Sequence, residues 1–407
     1  MNPLRVYLFE HEAGILEESV GGALSFRYSS DWLKNPQSPG LSRALPLQKD
    51  DHNDTSVRAF FSGLLPEGTP RSQVAANLGL SEENDYGLLT ALGGDCAGAV
   101  RLVPLESKPS AEVPQILTKE SLASYVQELP RRPLLAGKEG VRLSLAGAQS
   151  KLPLRMIGEK ISLSSFHYPS THILKPESPN FEGLAAVEYF SLLFAKRIGL
   201  NVVNAQILNL ADTPCLLVER YDRFSEAESQ IKRIHQEDFC QALAIPPHRK
   251  YQQEGGPSVA ESLEMIRTWS SRPVLDIRQF LETLIYNVLL GNADAHGKNF
   301  SWLYPNGKRQ LAPQYDLVAT TLWSELSTRM AMRIGQAKYI NEVTSDHFLK
   351  MAGQNQVGKA ILKNVLADIC QKARSELQYS LANVPTLTGE FRHQLHTEIS
   401  DRISKLS

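Results

Sequence analysis

Cysteine is scarce in this chain and follows no pattern. Of 407 residues only Cys96, Cys215, Cys240 and Cys370 are cysteines, with no CxxC and no Cys/His spacing. That argues against a zinc framework or a disulfide-stapled scaffold and predicts reduced thiols in a cytoplasmic protein. Excess charge is lacking too: 43 Lys and Arg against 44 Asp and Glu leave a net charge of −1. No global basic field therefore points to nucleic acid or to a membrane surface. No apolar run approaches the ~20 residues of a membrane helix, and MNPLRVYLFEHEAG lacks the basic-then-apolar order of a signal peptide. Walker A and G-x-G-x-x-G sequences are missing as well, so neither standard phosphate loop is present. What is there is an ordinary globular composition, 42% hydrophobic, enough for large cores in two or three domains or in one domain with lobes.

The stretch richest in chemistry runs from Leu284 to Asp316, LIYNVLLGNADAHGKNFSWLYPNGKRQLAPQYDL. Leu284, Ile285, Val288 and Leu289 fall at helical spacing, and Gly291 should end that helix, because glycine readily takes the left-handed turn that closes helices. A polar loop follows, from Asn292 to Asn299. In it Asp294 and Asn299 stand as D-x-x-x-x-N, the spacing of a protein-kinase catalytic loop in which the aspartate accepts a hydroxyl proton and the asparagine holds magnesium. Asp316, in Gln314-Tyr-Asp-Leu317, offers a second carboxylate. Ser301–Tyr304 and Arg309–Leu311 read as strands joined by a turn at Asn306-Gly307, and such a hairpin returns Asp316 to the side of Asn299. Phosphoryl transfer from ATP needs oxygen ligands for Mg2+ and one carboxylate aimed at the incoming hydroxyl, and these three residues supply that set. Taken singly, the same residues would serve equally well to cap a helix and close a turn.

Taken in order, the chain begins with a module over residues 1–105. It combines strands at Arg5–Phe9, Leu24–Tyr28 and Ala97–Val103 with short helices at Val57–Leu65 and Asp85–Leu92. Residues 104–114, PLESKPSAEVP, read as a linker to a polar helix near Glu120–Glu128. Val141–Leu154 then sets two strand-like segments around Ala146-Gly147-Ala148, a small-residue turn at which backbone N–H groups can approach a phosphate; a plain hairpin turn is the other reading. Lys151 faces either phosphates or solvent. In His172–Pro176 a partly buried strand carries Lys175, placed like the strand lysine that meets ATP phosphates in kinases. Its prospective partner is Glu188 on the Ala185–Ile198 helix, with Glu182 as the competitor. Cys215–Asp222 is a buried strand running into a charged turn, the form of an adenine-binding hinge near Glu219–Tyr221 and equally that of an edge strand. From His235 onward the pattern is mostly helical, over Ala260–Trp269, Ile277–Leu290, Gly358–Tyr379 and Gly389–Ile403, with a flexible loop at Tyr251–Pro257 beside the site.

Several of these segments together carry a resemblance. Ser144-Leu-Ala-Gly-Ala-Gln-Ser-Lys151, His172-Ile-Leu-Lys175, Val218-Glu-Arg-Tyr-Asp-Arg223, Gln236-Glu-Asp238, Gly255-Gly-Pro257, Asp294-Ala-His-Gly-Lys-Asn-Phe300 and Tyr315-Asp316 resemble, in that order, the HipA-type toxin serine/threonine kinases. Leu45-Pro-Leu-Gln48 and Leu64-Leu-Pro66 extend the resemblance into the N-terminal module, so it spans nearly the whole chain. It implies an α+β fold, two-lobed and protein-kinase-like. An N-terminal α/β subdomain covers 1–105, a kinase-like N-lobe with phosphate loop and hinge covers 106–220, and an all-helical C-lobe covers 221–407.

The resemblance also implies ATP and Mg2+ as cofactors. Carried over by position, Asp294 is the catalytic base, Asn299 and Asp316 are the metal ligands, and Lys175 is the phosphate-binding lysine. Val218, Glu219 and Tyr221 belong to the hinge, Ala146, Gly147, Ala148, Gln149, Ser150 and Lys151 form the nucleotide loop, and His296 joins the nucleotide-binding set. Ser144 matches the family's autophosphorylated serine. Family members are toxins bound by a HipB-type helix-turn-helix antitoxin, meet DNA through that partner, and phosphorylate proteins such as aminoacyl-tRNA synthetases.

Departures from standard protein kinases are equally legible. Leu317-Val318 follows Asp316 in place of Phe-Gly, and Asn292-Ala293 precedes Asp294 in place of His-Arg, which removes the arginine that grips an activation-loop phosphate. Ser144 offers another control: phosphorylation adds roughly −1.5 to −2 charges, and charge placed at a loop shaped for ATP phosphates repels the nucleotide or expels the loop. Two readings compete, a small-molecule or lipid kinase of the same fold and a non-catalytic nucleotide-binding co-repressor acting with a DNA-binding antitoxin. The intact set of Lys175, Asp294, Asn299 and Asp316 favours catalysis.

Overall fold

A computed structural model describes residues 2–106, 116–138, 141–227 and 230–407. Most of the expected linker, residues 107–114, lies outside these described residues. The chain divides into two compact units, Met1–Pro176 with Asn209–His248 and Trp302–Gly307, and Glu177–Leu208 with Arg249–Ser301 and Lys308–Ser407.

The first unit opens with four antiparallel strands in the order Leu24–Tyr28, His11–Glu18, Leu4–Leu8 and Val100–Pro104. Leu4, Val6 and Leu8 turn inward and Arg5 and Tyr7 lie between them half-buried, the period-two alternation of a strand with one covered face. Helices Asp54–Ser62 and Asp85–Leu92 start at Asn53 and Asn84, whose side chains accept N–H groups of the first turn. Phe26, Phe60 and Phe61 sit fully buried in this core, each contributing roughly 1.5–3 kcal/mol by leaving water. The sequence reading misses His11–Glu18, because Glu12, Gly14 and Glu17 interrupt its apolar rhythm; pairing on both edges holds it in place.

A second antiparallel sheet in this unit joins Ile116–Leu117, Lys160–Leu163, Leu152–Ile157, His172–Pro176 and Thr213–Glu219. Lys175 pairs with Leu216, Ile173 with Val218 and His172 with Glu219, so the lysine strand and the expected hinge strand are neighbours. Of the two segments expected to flank Ala146–Ala148, only Leu152–Ile157 is a strand. Residues 141–145 make a single bridge, from Leu143 to Asp95, because they are stitched to loops instead of a sheet edge. The Ser144 N–H donates to the Asp95 carbonyl at 3.1 Å, and Ser144 Oγ donates to the Leu64 carbonyl at 2.8 Å.

Beneath these loops lies a buried charge network. Asp95 accepts from Arg223 at 3.1 Å, Arg233 at 3.3 Å and Ser170 Oγ at 2.6 Å, and Asp222 accepts from Arg220 at 2.7 Å and the Gly98 N–H at 2.6 Å. Burial alone would raise the Asp95 carboxyl, but Arg223, Arg233 and Arg220 together hold it well below the usual carboxylate range.

The second unit is built mainly of helices, Leu184–Arg197, Val259–Trp269, Pro273–Leu290, Ser345–Gln354, Lys359–Ala382 and Gly389–Leu406. Ser258 and Glu261 close a capping box at the start of the second of these. The expectation of an all-helical C-terminal lobe is corrected by a short hairpin, in which Arg329–Ile334 pairs with Ala337–Tyr339 around Gly335 at φ +60°. This hairpin forms because its backbone has a partner to satisfy: the Ala331 N–H donates to the Ala293 carbonyl at 2.8 Å, in the loop that follows the Pro273–Leu290 helix. All four cysteines are buried and no disulfide joins them. Among the described residues no helix is long and apolar enough to cross a membrane.

Candidate functional site

The loop bearing Asp294 begins where the Pro273–Leu290 helix ends. Gly291 closes that helix at φ +85°, as expected, and a Cβ there would lie 2.4 Å from Thr321 Oγ1 and 2.6 Å from Arg402 Nη1. Asn292 then turns the chain: its Nδ2 donates to Asn287 Oδ1 at 2.9 Å, and its Oδ1 accepts the Asp294 N–H at 3.1 Å. The Ala293 N–H donates to Thr320 Oγ1 at 2.9 Å. The backbone is thus anchored on several sides while the Asp294 side chain stays 52% exposed. Its Oδ1 accepts the Tyr251 hydroxyl at 2.8 Å, and its Oδ2 lies 4.0 Å from His296 Nε2. The Tyr251 ring meets the His296 ring edge-on at 5.5 Å.

Asn299 ends a single 3-10 turn, Gly297–Asn299, and is buried. The strand, turn and strand expected after it are present as Ser301–Leu303, Pro305–Gly307 and Gln310–Leu311, and the Ala312 N–H donates to the Ser301 carbonyl at 2.9 Å. Asn299 Nδ2 consequently lies 3.4 Å from Asp316 Oδ2, the juxtaposition the sequence predicts. The Tyr315 hydroxyl steadies the pair, contacting the Lys298 carbonyl at 2.7 Å and Ser301 Oγ at 2.6 Å. Asp316 takes φ +57°, a left-handed backbone that costs a non-glycine residue about 1–3 kcal/mol and is found most at functional sites. An amide oxygen and a carboxylate are hard donors suited to Mg2+, which ordinarily takes one or two carboxylates and completes its shell with phosphate oxygens and water. Among the described residues no group of three or more His, Cys, Asp or Glu side chains is arranged for a metal.

Apart from His296, the nucleotide-side candidates belong to the first unit; His296 and the base and metal-ligand candidates belong to the second. Lys175 is buried at the end of its strand. In the loop, Gly147 takes φ +108°, and its carbonyl accepts the Glu67 N–H at 3.1 Å. Lys151 folds back so that Nζ donates to the Ala146 carbonyl, while Ala148 is exposed and Ser150 half-buried. Gln149 Nε2 is buried with no hydrogen-bond partner among the described residues, a donor that a phosphate oxygen would satisfy. Of the hinge residues Val218 is buried and Glu219 exposed, and the Tyr221 hydroxyl donates to Gln236 Oε1. Ser144 is fully buried. Of the two acids weighed as partners for Lys175, Glu188 is buried and Glu182 exposed.

Two contributors escape the sequence reading. Tyr251 falls in what reads as a bordering loop, and the only local sign of a built turn is the Gly255-Gly256 pair that follows it. Thr320, which grips the backbone before Asp294, sits in Ala319-Thr-Thr-Leu322, a run with no chemical signature.

Comparison with known proteins agrees with this architecture. The family model described as the HipA N-terminal domain matches residues 4–103, and that of the HipA-like C-terminal domain matches residues 143–377. The chain is 42% identical over 354 residues to the Y4mE protein of Sinorhizobium fredii, covering 86% of this chain and 84% of that one. It is 30% identical over 332 residues to the serine/threonine-protein kinase toxin HipA of Shewanella oneidensis, covering 78% of this chain and 75% of that one. A chain from the solved complex of Shewanella oneidensis MR-1 HipA, HipB and operator DNA superposes with a TM-score of 0.87 at 25% identity, over 99% of this chain and 97% of that chain.

Proposed function

This chain belongs to the HipA family of toxin kinases, and from that premise we propose that it is an ATP-dependent serine/threonine-protein kinase, the toxin of a toxin–antitoxin pair. Asp294 accepts the proton of the incoming hydroxyl. Lys175 and the Ala146–Lys151 loop hold the phosphates, Val218, Glu219 and Tyr221 line the adenine, and His296 flanks the nucleotide. Asn299 and Asp316 hold Mg2+, which when bound neutralises charge on the transferring phosphoryl group. The observation that carries this reading is the approach of Asn299 to Asp316 at 3.4 Å on a loop whose other acid, Asp294, is left half-exposed. A carboxylate meant to take a proton must be reachable, and a carboxylate with an asparagine side chain beside it suits Mg2+, which completes its shell with phosphate oxygens and water.

The relative from Shewanella oneidensis is found in a complex with HipB and operator DNA. By that likeness the partner of this chain is a HipB-like helix-turn-helix protein, through which it meets DNA in the cytoplasm. Ser144 is the autophosphorylation site of the proposal. Because Ser144 is fully buried and bonded to the Leu64 carbonyl, a phosphate can join it only after its segment leaves Leu64 and Asp95.

The test is intact-mass measurement and labelling with γ-labelled Mg-ATP. Wild type should gain one phosphate, located at Ser144 by peptide mapping, and Asp294→Ala should gain none. Modification of pure Asp294→Ala at the wild-type rate would refute the assignment.

A further inference from the structure

Asp294 is held by a residue outside its own loop. The segment Arg249–Pro257 is closed on itself: Arg249 Nε donates to the Glu254 carbonyl at 2.8 Å, and the Gly256 N–H donates to the Tyr251 carbonyl at 2.8 Å. Its two glycines are required for this closure. Gly255 takes φ +95°, and a Cβ on Gly256 would sit 2.5 Å from the Lys250 carbonyl. The segment is also tied outward at two points, by the Gly297 N–H to the Lys250 carbonyl at 3.4 Å and by the Arg333 N–H to Gln252 Oε1 at 2.8 Å. Tyr251 therefore projects from a constrained strap, with its ring against His296 and its hydroxyl on Asp294 Oδ1.

A general base has to lie within hydrogen-bond reach of the proton it takes, and small misplacements cost rate. A phenol hydroxyl donates to the carboxylate through its O–H. We infer that Tyr251 is a positioning residue for the proposed base, fixing the orientation of the Asp294 carboxylate through its hydroxyl. The inference rests on the reading of Asp294 given above.

The experiment follows single-turnover transfer of labelled phosphate from Mg-ATP to the full-length chain in wild type, Tyr251→Phe, Asp294→Asn and the double variant. Binding of a fluorescent ATP analogue and thermal melting are recorded for each. Tyr251→Phe should slow transfer roughly tenfold, the size of one lost hydrogen bond to a charged group. Nucleotide affinity and melting temperature should be unchanged, and adding Tyr251→Phe to Asp294→Asn should produce no further loss. Wild-type transfer by Tyr251→Phe overturns the inference. So does an equal loss on the Asp294→Asn background, or a loss that comes with weakened nucleotide binding or a lowered melting temperature. Wild type that incorporates no label, or Asp294→Asn at the wild-type rate, overturns the kinase reading itself.

Discussion

Carboxylates serve opposite ends in the two units. In the first, Asp95 and Asp222 are shut away from water and surrounded by Arg220, Arg223, Arg233 and backbone N–H groups. In the second, Asp294 accepts the Tyr251 hydroxyl and keeps half of its side chain in solvent. A buried carboxylate is expensive to leave unpaired, so it is locked in place by several donors and becomes structural. A carboxylate that reaches solvent can meet a reacting group. What separates the anchoring aspartates from the proposed base here is access to solvent.

That contrast can be broken most forcefully at Asp95. Asp95→Ala should lower the free energy of unfolding by about 3–5 kcal/mol, because three arginines lose their common partner. Urea unfolding within about 1 kcal/mol of wild type would show the network to be incidental. Asp294→Ala should do the reverse, reducing phosphate transfer on the order of 10²-fold or more while the urea midpoint stays within about 0.5 kcal/mol, as for an ordinary surface change.

Gly291→Ala probes the helix end that presents the Asp294 loop. The left-handed backbone and the neighbouring Thr321 and Arg402 atoms predict a destabilisation of about 1–3 kcal/mol, read by the same unfolding measurement.

The smallest expected effect concerns pH in the first unit. Burial pushes the Glu237 carboxyl up to about 7, against the opposing donation of Ser42, Tyr304 and the Arg43 N–H, and burial pushes His235 down to about 4. The raised acid contributes stability that is complete below its ordinary value of 4.5 and is lost as pH rises through 7. The depressed histidine contributes stability that is complete above 6.5 and is lost as pH falls toward 4. From 4.5 to 6.5 the two oppose each other. Glu237→Gln removes the first contribution, so melting temperature should climb more steeply with pH across that window than in wild type. An unchanged slope would mean that burial does not govern Glu237.

Much of the Leu284–Asp316 stretch was legible because its signals are local. Apolar spacing and Gly291 marked a helix and its end, and an Asn-Gly turn between two short strands brought Asn299 to Asp316. Where the reading failed, the cause lay at a distance in the chain. Val141–Leu145 has the composition of a strand, yet its backbone bonds run to Asp95 and Lys138 and its Ser144 hydroxyl to the Leu64 carbonyl, so no ladder forms. Arg329–Ile334 becomes a strand in a helical unit because the loop before Asp294 supplies a carbonyl to it.

The order of residue types and the positions of breaks were present in the chain itself: the D-x-x-x-x-N spacing, the small-residue loop before Lys151, and the scattered thiols. Only the folded arrangement decided that Ser144 is sealed inside, that Asp95 is an anchor while Asp294 is reachable, and that a tyrosine more than forty positions from Asp294 touches it. The physical reason is that exposure and hydrogen-bond partnership depend on which remote segments come to share a neighbourhood, and no short window of sequence records that.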